Sequence, residues 1–309
     1  MQFGEYLRSC RLGCELTQEE LVSEIYQYDI EHFENLEVST ISKWECNSTH
    51  PSPSRQLSLL KFFQKKTGLA FPHFPQYTIE ELESHISNVA MQNLLGNAKE
   101  VVLNFPSTSI KLEDLHVRKI SEIETINKIL DINLKLNVEF NYGLSKLSFE
   151  HFKSWAECPH NIFYVCELNE QFFGLLFTLR LKPDIFTKLI NFEMMEKDIR
   201  VEDFASHNEI GSDYFLSFIA MNEKVASLLF IEYYAQLIAH QENILEVGGM
   251  TMVEDAKKLI SNMCIASHKK RKRTAEDGEN ILQESYRANM HDFLACEQVI
   301  RMLFSKEKA

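Results

Sequence analysis

Two apolar runs, Ile162 to Leu168 and Phe172 to Leu181, stand on either side of Asn169-Glu170-Gln171. Short apolar runs rich in Phe, Val and Leu, divided by a polar turn, read as the two arms of a β-hairpin. That hairpin excludes a wholly helical chain. The elements around it alternate. Leu115 to Ile120 predicts a strand, and the capping box Ser121-Glu122-Ile123-Glu124 opens a helix through Leu136. Ser148 to Glu157 predicts a helix that Cys158-Pro159 stops, and Asp184 to Met195 predicts another. Tyr214 to Met221 reads as a strand, Asn222 to His240 as a long helix, and Ile244 to Val247 as a short strand before a Gly248-Gly249 hinge. A further capping box, Thr251-Met252-Val253-Glu254, opens a helix to about Asn262. Ile265 to Arg273 and Ile281 to Arg287 flank the turn Glu276-Asp277-Gly278-Glu279. A terminal helix carries Phe293, Leu294, Val299, Ile300 and Leu303, and no internal repeat is visible.

A length of 309 residues predicts two domains. No apolar run approaches the roughly 18 residues needed to cross a bilayer, and the N-terminus lacks a basic-then-apolar leader. The expected location is cytoplasmic, with no membrane partner. The seven cysteines include no CxxC pair, so reduced, mostly buried thiols are expected. The eleven histidines show no metal-ligand spacing, so no metal is expected. The net charge of -13 excludes indiscriminate nucleic-acid binding by the whole molecule. The charge is unevenly spread. Residues 15 to 37 hold eight acids and no Lys or Arg, whereas residues 38 to 66 hold Lys43, Arg55, Lys61, Lys65 and Lys66 against Glu45 alone.

That sign change falls on a short predicted helix, Leu36 to Glu45. Its outer face is small and polar (Ser39, Ser42, Lys43) and its inner face apolar (Ile41, Trp44). Before it, Phe3 to Leu12 has helical spacing with Arg8 and Arg11 on another face, where they read as surface charge. Thr17-Gln18-Glu19-Glu20 is a capping box that opens a second helix through Leu21, Val22 and Ile25. After it, Pro51 and Pro53 mark a turn into a helix with Leu57, Leu59, Leu60, Phe62 and Phe63.

This ordered set resembles the Cro and phage-repressor helix-turn-helix family, often called XRE. The resemblance rests on Leu7, Arg8, Arg11, Leu16 to Leu21, Thr40 to Glu45 and Pro51-Ser52. The departure is the polar, acidic detour Tyr26 to Asn35, where the family has a tight turn. The resemblance implies that Gln18 contacts a DNA backbone, and that Val38, Ser39, Thr40, Ser42 and Lys43 face the major groove. It also implies homodimers on a palindromic duplex operator.

From residue 110 onward the order of strands and helices resembles the GNAT-type acetyltransferase fold. In that family a Gly-rich turn after the fourth strand holds the coenzyme A pyrophosphate at a helix N-terminus. Here the matching stretch, Ala220 to Leu229, has no glycine. Glu223 adds negative charge, and Val225 and Ala226 read as crowding the approach. Lys224 is the one weak cofactor-binding candidate. Tyr286 lies where such enzymes often carry a general acid, and a half-buried strand tyrosine is its ordinary reading. No catalytic residue and no cofactor are therefore expected. The run His268 to Arg273 reads as a solvated hairpin arm balanced by Glu276, Asp277 and Glu279, the other reading being a second phosphate contact or a nuclear signal.

The fold expected is an all-α N-terminal helix-turn-helix domain (1–70), a linker with an amphipathic helix (71–109), and an α/β (α+β) GNAT-like domain (110–309). The function expected is a dimeric, sequence-specific DNA-binding transcriptional regulator, not an enzyme, whose second domain senses a small-molecule or protein effector or mediates assembly. The alternatives are a DNA-targeted N-acetyltransferase using acetyl-CoA, and a peptide-pheromone-type regulator or antitoxin.

Overall fold

A computed structural model describes residues 1–90, 114–120, 147–252 apart from Glu170, 265–274 and 280–304, with Lys257 and Ile260 besides. In chain order the elements begin with α1 (Phe3–Gly13), α2 (Gln18–Tyr28), α3 (Ile30–Phe33), α4 (Val38–Glu45), α5 (Pro53–Thr67) and α6 (Ile79–Ala90). There follow β1 (His116–Lys119), α7 (Phe149–Ala156), β2 (Ile162–Leu168), β3 (Gln171–Leu181), α8 (Pro183–Ile190), β4 (Gly211–Ala220), α9 (Glu223–Ala239) and β5 (Ile244–Thr251). The chain ends with β6 (Ala266–Thr274), β7 (Asn280–Asn289), α10 (Met290–Leu294) and α11 (Glu297–Leu303). The helices expected at 121–136 and 251–262 lie wholly or largely outside the described residues. The chain divides into two units. One is 1–96 with 234–242 and 290–309, and the other is 97–233 with 243–289.

The first unit is helical among the described residues. Its start is set by local chemistry. The Thr17 hydroxyl accepts from the Glu20 N–H, and the Glu20 carboxylate accepts from the Thr17 N–H, which closes the capping box of α2. The acidic detour extends α2 and adds a short helix. α2 runs on to Tyr28, and the one-turn α3 follows with Asp29 as its N-cap, accepting from the His32 N–H at 3.2 Å. Ser58 on α5 donates to the same Asp29, and α3 buries Phe33 completely. Leu7, Leu21, Ile25, Ile41, Leu59 and Leu60 complete a dry core with Trp44. Phe304, just past α11, packs on Phe3 and Tyr6 at ring-centroid distances of 5.2 and 5.0 Å.

Arg11 does not behave as surface charge. It is buried, and its Nε and Nη2 donate to the two Glu45 oxygens at 2.6 and 3.0 Å. Its Nη1 donates to the Leu16 carbonyl at 2.8 Å, and Gln18 Nε2 donates to the same Glu45 carboxylate at 2.8 Å. Glu45 thus ties α1 and α2 to the end of α4.

The second unit is built on a seven-stranded mixed sheet of order β1-β2-β3-β4-β5-β7-β6. Every neighbouring pair is antiparallel except β4 and β5, which run parallel. This is the α/β, GNAT-like arrangement expected from residue 110 onward. The hairpin β2–β3 is as read, with Asn169 in the left-handed region at φ 50°. One face of the sheet buries Phe163, Val165, Leu175, Phe177, Leu179 and Tyr214 against Phe152 and Trp155 of α7 and Phe186, Leu189 and Ile190 of α8. Gly248 and Gly249 are not a hinge. They lie inside β5, where a Cβ on Gly248 would meet the Tyr286 carbonyl at 2.3 Å.

Glu45→Ala strands a buried guanidinium and the Gln18 amide. It should destabilise the helical unit by about 3 kcal/mol or more, whereas Arg8→Ala, at an exposed site, should change it by less than about 0.5 kcal/mol. Chemical denaturation followed at Trp44 checks both, and equal effects would contradict the buried pair.

Candidate active site: a gap between two parallel strands

β4 is hydrogen-bonded to β3 along its whole length, from Leu181 opposite Ser212 to Gly174 opposite Ala220. The register slips once, because Thr178 faces Phe215 and Phe177 faces Ser217, leaving Leu216 as an extra residue. Such a bulge bends its strand and sharpens its twist. The bend falls where β4 leaves β5. Their last pair is Phe215 with Gly249, although β4 runs on to Ala220. Beyond that point Met250 and Thr251 of β5 pair only with Ser285 and Glu284 of β7. The two strands diverge, and no described strand fills the space between them. Burial follows this geometry, since residues 211–214 are buried and 216–219 half-buried. Gly249 permits the last close approach, for a Cβ there would sit 2.9 Å from the Phe215 carbonyl.

At the mouth of the gap β4 turns into α9. The Met221 N–H donates to the Phe173 carbonyl at 2.9 Å, which holds the turn against β3. Asn222 is the N-cap. Its Oδ1 accepts from the Val225 N–H at 3.0 Å, and its carbonyl accepts from the Ala226 N–H at 3.1 Å. The side chain is only 3% exposed, yet its Nδ2 donates to nothing among the described residues. A buried amide donor without an acceptor costs on the order of 1–3 kcal/mol. It sits at the positive end of a 17-residue helix.

Val225 and Ala226 are both buried, and a Cβ on Gly174 would lie 2.6 Å from the Val225 methyl, so the glycine that admits α9 stands on β3. Lys224 is half-buried one residue into the helix, while the Glu223 side chain lies outside the described residues.

The paired end of β4 carries a buried charge. Asp213 accepts from Arg180 Nη1 at 3.5 Å and from the Tyr233 hydroxyl of α9 at 3.3 Å. Burial pushes its carboxyl up to about 6, with Arg180 and Tyr233 pulling the other way. Arg180 also donates to the carbonyls of Ser206, Glu209 and Asn243, so it holds the turn that leads into β4. On the other face Tyr214 donates to Glu196 at 2.9 Å. Tyr286 is buried in β7, and its hydroxyl hydrogen-bonds Glu284.

The sequence-predicted contact residues lie together at α4. Ser39 and Lys43 are exposed, while Val38, Thr40 and Ser42 are half-buried. The Ser39 hydroxyl donates to Glu37 at 3.0 Å, and Gln18 is engaged by Glu45. No cluster of three metal-ligating side chains occurs, and no helix is long and apolar enough to cross a membrane, among the described residues.

No protein-family model matches the chain, and no curated protein matches it. Solved structures do. A GNAT-family acetyltransferase from Streptococcus pneumoniae is 14% identical with a TM-score of 0.39, covering 57% of this chain and 99% of its own. Arabidopsis thaliana NAA60 in complex with acetyl-CoA is 10% identical with a TM-score of 0.39, covering 57% and 99%. An N-acetyltransferase from Staphylococcus aureus is 13% identical with a TM-score of 0.38, covering 57% and 97%. These are likenesses of fold. These neighbours are named as acetyltransferases, against the expectation of a non-catalytic, DNA-binding transcriptional regulator. The strand–helix turn, which lacks glycine, is admitted by Gly174 on β3 and capped by Asn222.

The unfolded chain releases the Asp213 proton near the ordinary value of 3.8, and the folded chain near 6. Between those values only the fold holds the proton, so this group favours folding at low pH. The advantage is lost as pH rises through 6. Relative to Asp213→Asn, the wild-type melting temperature should therefore fall between pH 4 and pH 7. A difference that stays constant across that range would contradict the assignment.

Proposed function

We propose that the sheet unit is an N-acetyltransferase that uses acetyl-CoA as its acyl donor. The single observation that carries this reading is the opened β4–β5 pair ending at a helix whose capping residue presents an unpartnered buried amide. The fit can be judged from the residues present. A pyrophosphate is an acceptor-only dianion, and the N-terminus of α9 with the Asn222 Nδ2 offers donors and positive potential. Lys224 adds a cation two residues after that cap. The edge of β4 from Leu216 to Ala220 is free of β5, so it can receive an extended, amide-bearing arm as a further strand would be received.

Acetyl-CoA supplies an activated thioester carbonyl. An acceptor amine attacks that carbon, the C–N bond forms, the C–S bond breaks, and the thiolate leaves with the amine's proton passing to solvent. In this reading the chain's share is to hold the donor along β4, to fix its phosphates at α9, and to leave the carbonyl open to the amine.

Isothermal titration calorimetry with acetyl-CoA tests the proposal. The wild type should bind in the micromolar range, about -8 kcal/mol. Asn222→Asp keeps an oxygen to cap Val225 but replaces the donor with a negative charge. It should bind about tenfold or more weakly, a change of about 1.4 kcal/mol, in a protein that stays folded by circular dichroism. No heat at millimolar acetyl-CoA, or equal affinity in the two proteins, would overturn it.

A further inference from the structure

β6 ends the sheet, and its outer backbone edge has no strand partner among the described residues. An unpaired edge is a template for another extended chain. Five consecutive cations, Lys269 to Arg273, occupy this strand in a protein of net charge -13. The strand is held in place on its inner side. Lys270 pairs with Glu284 at 3.1 Å, and Arg271 Nε donates to Gln283 at 2.8 Å while its guanidinium lies 4.4 Å from the centre of the Phe192 ring. Eight register pairs join it to β7. Lys269 and Lys272 are exposed, and neither ammonium meets a partner among the described residues. Glu276, Asp277 and Glu279, expected to balance this arm, lie outside the described residues; among the described ones no carboxylate meets Lys269 or Lys272, on a backbone edge already fixed in extended form.

We infer that the β6 edge docks an extended, acidic polypeptide segment by strand addition, with Lys269 and Lys272 pairing its carboxylates. Main-chain hydrogen bonds along an edge supply affinity without regard to sequence, and the alternating side chains supply selection. Two strand spacings, about 10 Å, separate this strand from β5, whose far side borders the gap. Taken together with the acetyltransferase reading, on which this extension rests, the edge makes the acceptor a protein whose amine lies near an acidic stretch. The competing use of a basic strand, a nucleic-acid backbone, needs no unpaired peptide edge.

Fluorescence anisotropy with a labelled octapeptide of Glu-Glu-Val-Val repeated, which puts carboxylates on both faces of an added strand, tests the surface without acetyl-CoA. The full chain should bind it, and binding should weaken with salt. Lys269→Glu with Lys272→Glu should weaken it about tenfold or more, at unchanged melting temperature and unchanged acetyl-CoA affinity. A copy of the peptide N-methylated at alternate residues should also lose binding, because it cannot add as a strand. The idea is overturned if the acidic peptide fails to bind at millimolar concentration, or if the N-methylated copy binds equally. It is also overturned if a single-stranded oligonucleotide of equal charge binds about tenfold more tightly. Peptide binding in a protein that ignores acetyl-CoA would leave the docking edge standing and remove only the catalytic reading.

Discussion

Two parallel strands in the middle of a sheet stop bonding to one another halfway along, and the rest of the second unit is arranged around that break. Backbone amides and carbonyls that leave a ladder need other partners, because burying them unpaired is costly. A sheet of seven strands tolerates the break only at a place where solvent or an extended ligand can enter. The bulge at Leu216 turns β4 aside, and Gly249 carries β5 close to Phe215 before the two separate. Asn222 then closes the turn into α9 with one end of its amide and leaves the other unpaired. Each feature is small, and together they set a helix terminus at the mouth of an open slot.

Each unit is also pinned by a buried ionic group that joins elements distant in sequence. Glu45 collects Arg11 and Gln18 in the helical unit, and Asp213 collects Arg180 and Tyr233 in the sheet unit. Buried pairs of this kind add little net stability compared with apolar packing, but losing one partner is expensive. The arrangement therefore enforces a single geometry. In the sheet unit it fixes α9 against β4 at the closed end, where any drift would move the helix N-terminus away from the slot.

Much of this architecture is legible in the order of the residues. The hairpin at 162–181, the long helix after β4 and the basic strand at 266–274 all follow from apolar runs, capping residues and turn signals. The Thr17 box is a local interaction, so three residues suffice to reveal it. Arg11 reads as surface charge because its partner lies 34 positions away, and no local pattern distinguishes a buried arginine from a surface one. Gly248 and Gly249 weaken the strand signal, so β5 reads four residues too short; the close carbonyls of Tyr286 and Phe215 that require them belong to other strands. The turn into α9 is less legible. Asn at a helix start is a strong N-cap signal, yet the glycine that admits the helix, Gly174, comes from a neighbouring strand.

The most direct test is a crystal structure of the protein grown with coenzyme A. The account predicts the extended arm lying between residues 216–220 of β4 and residues 250–251 of β5, with a pyrophosphate oxygen within hydrogen-bond reach of the Asn222 Nδ2. Coenzyme A bound elsewhere, or a structure in which β5 closes onto the outer half of β4, would contradict it.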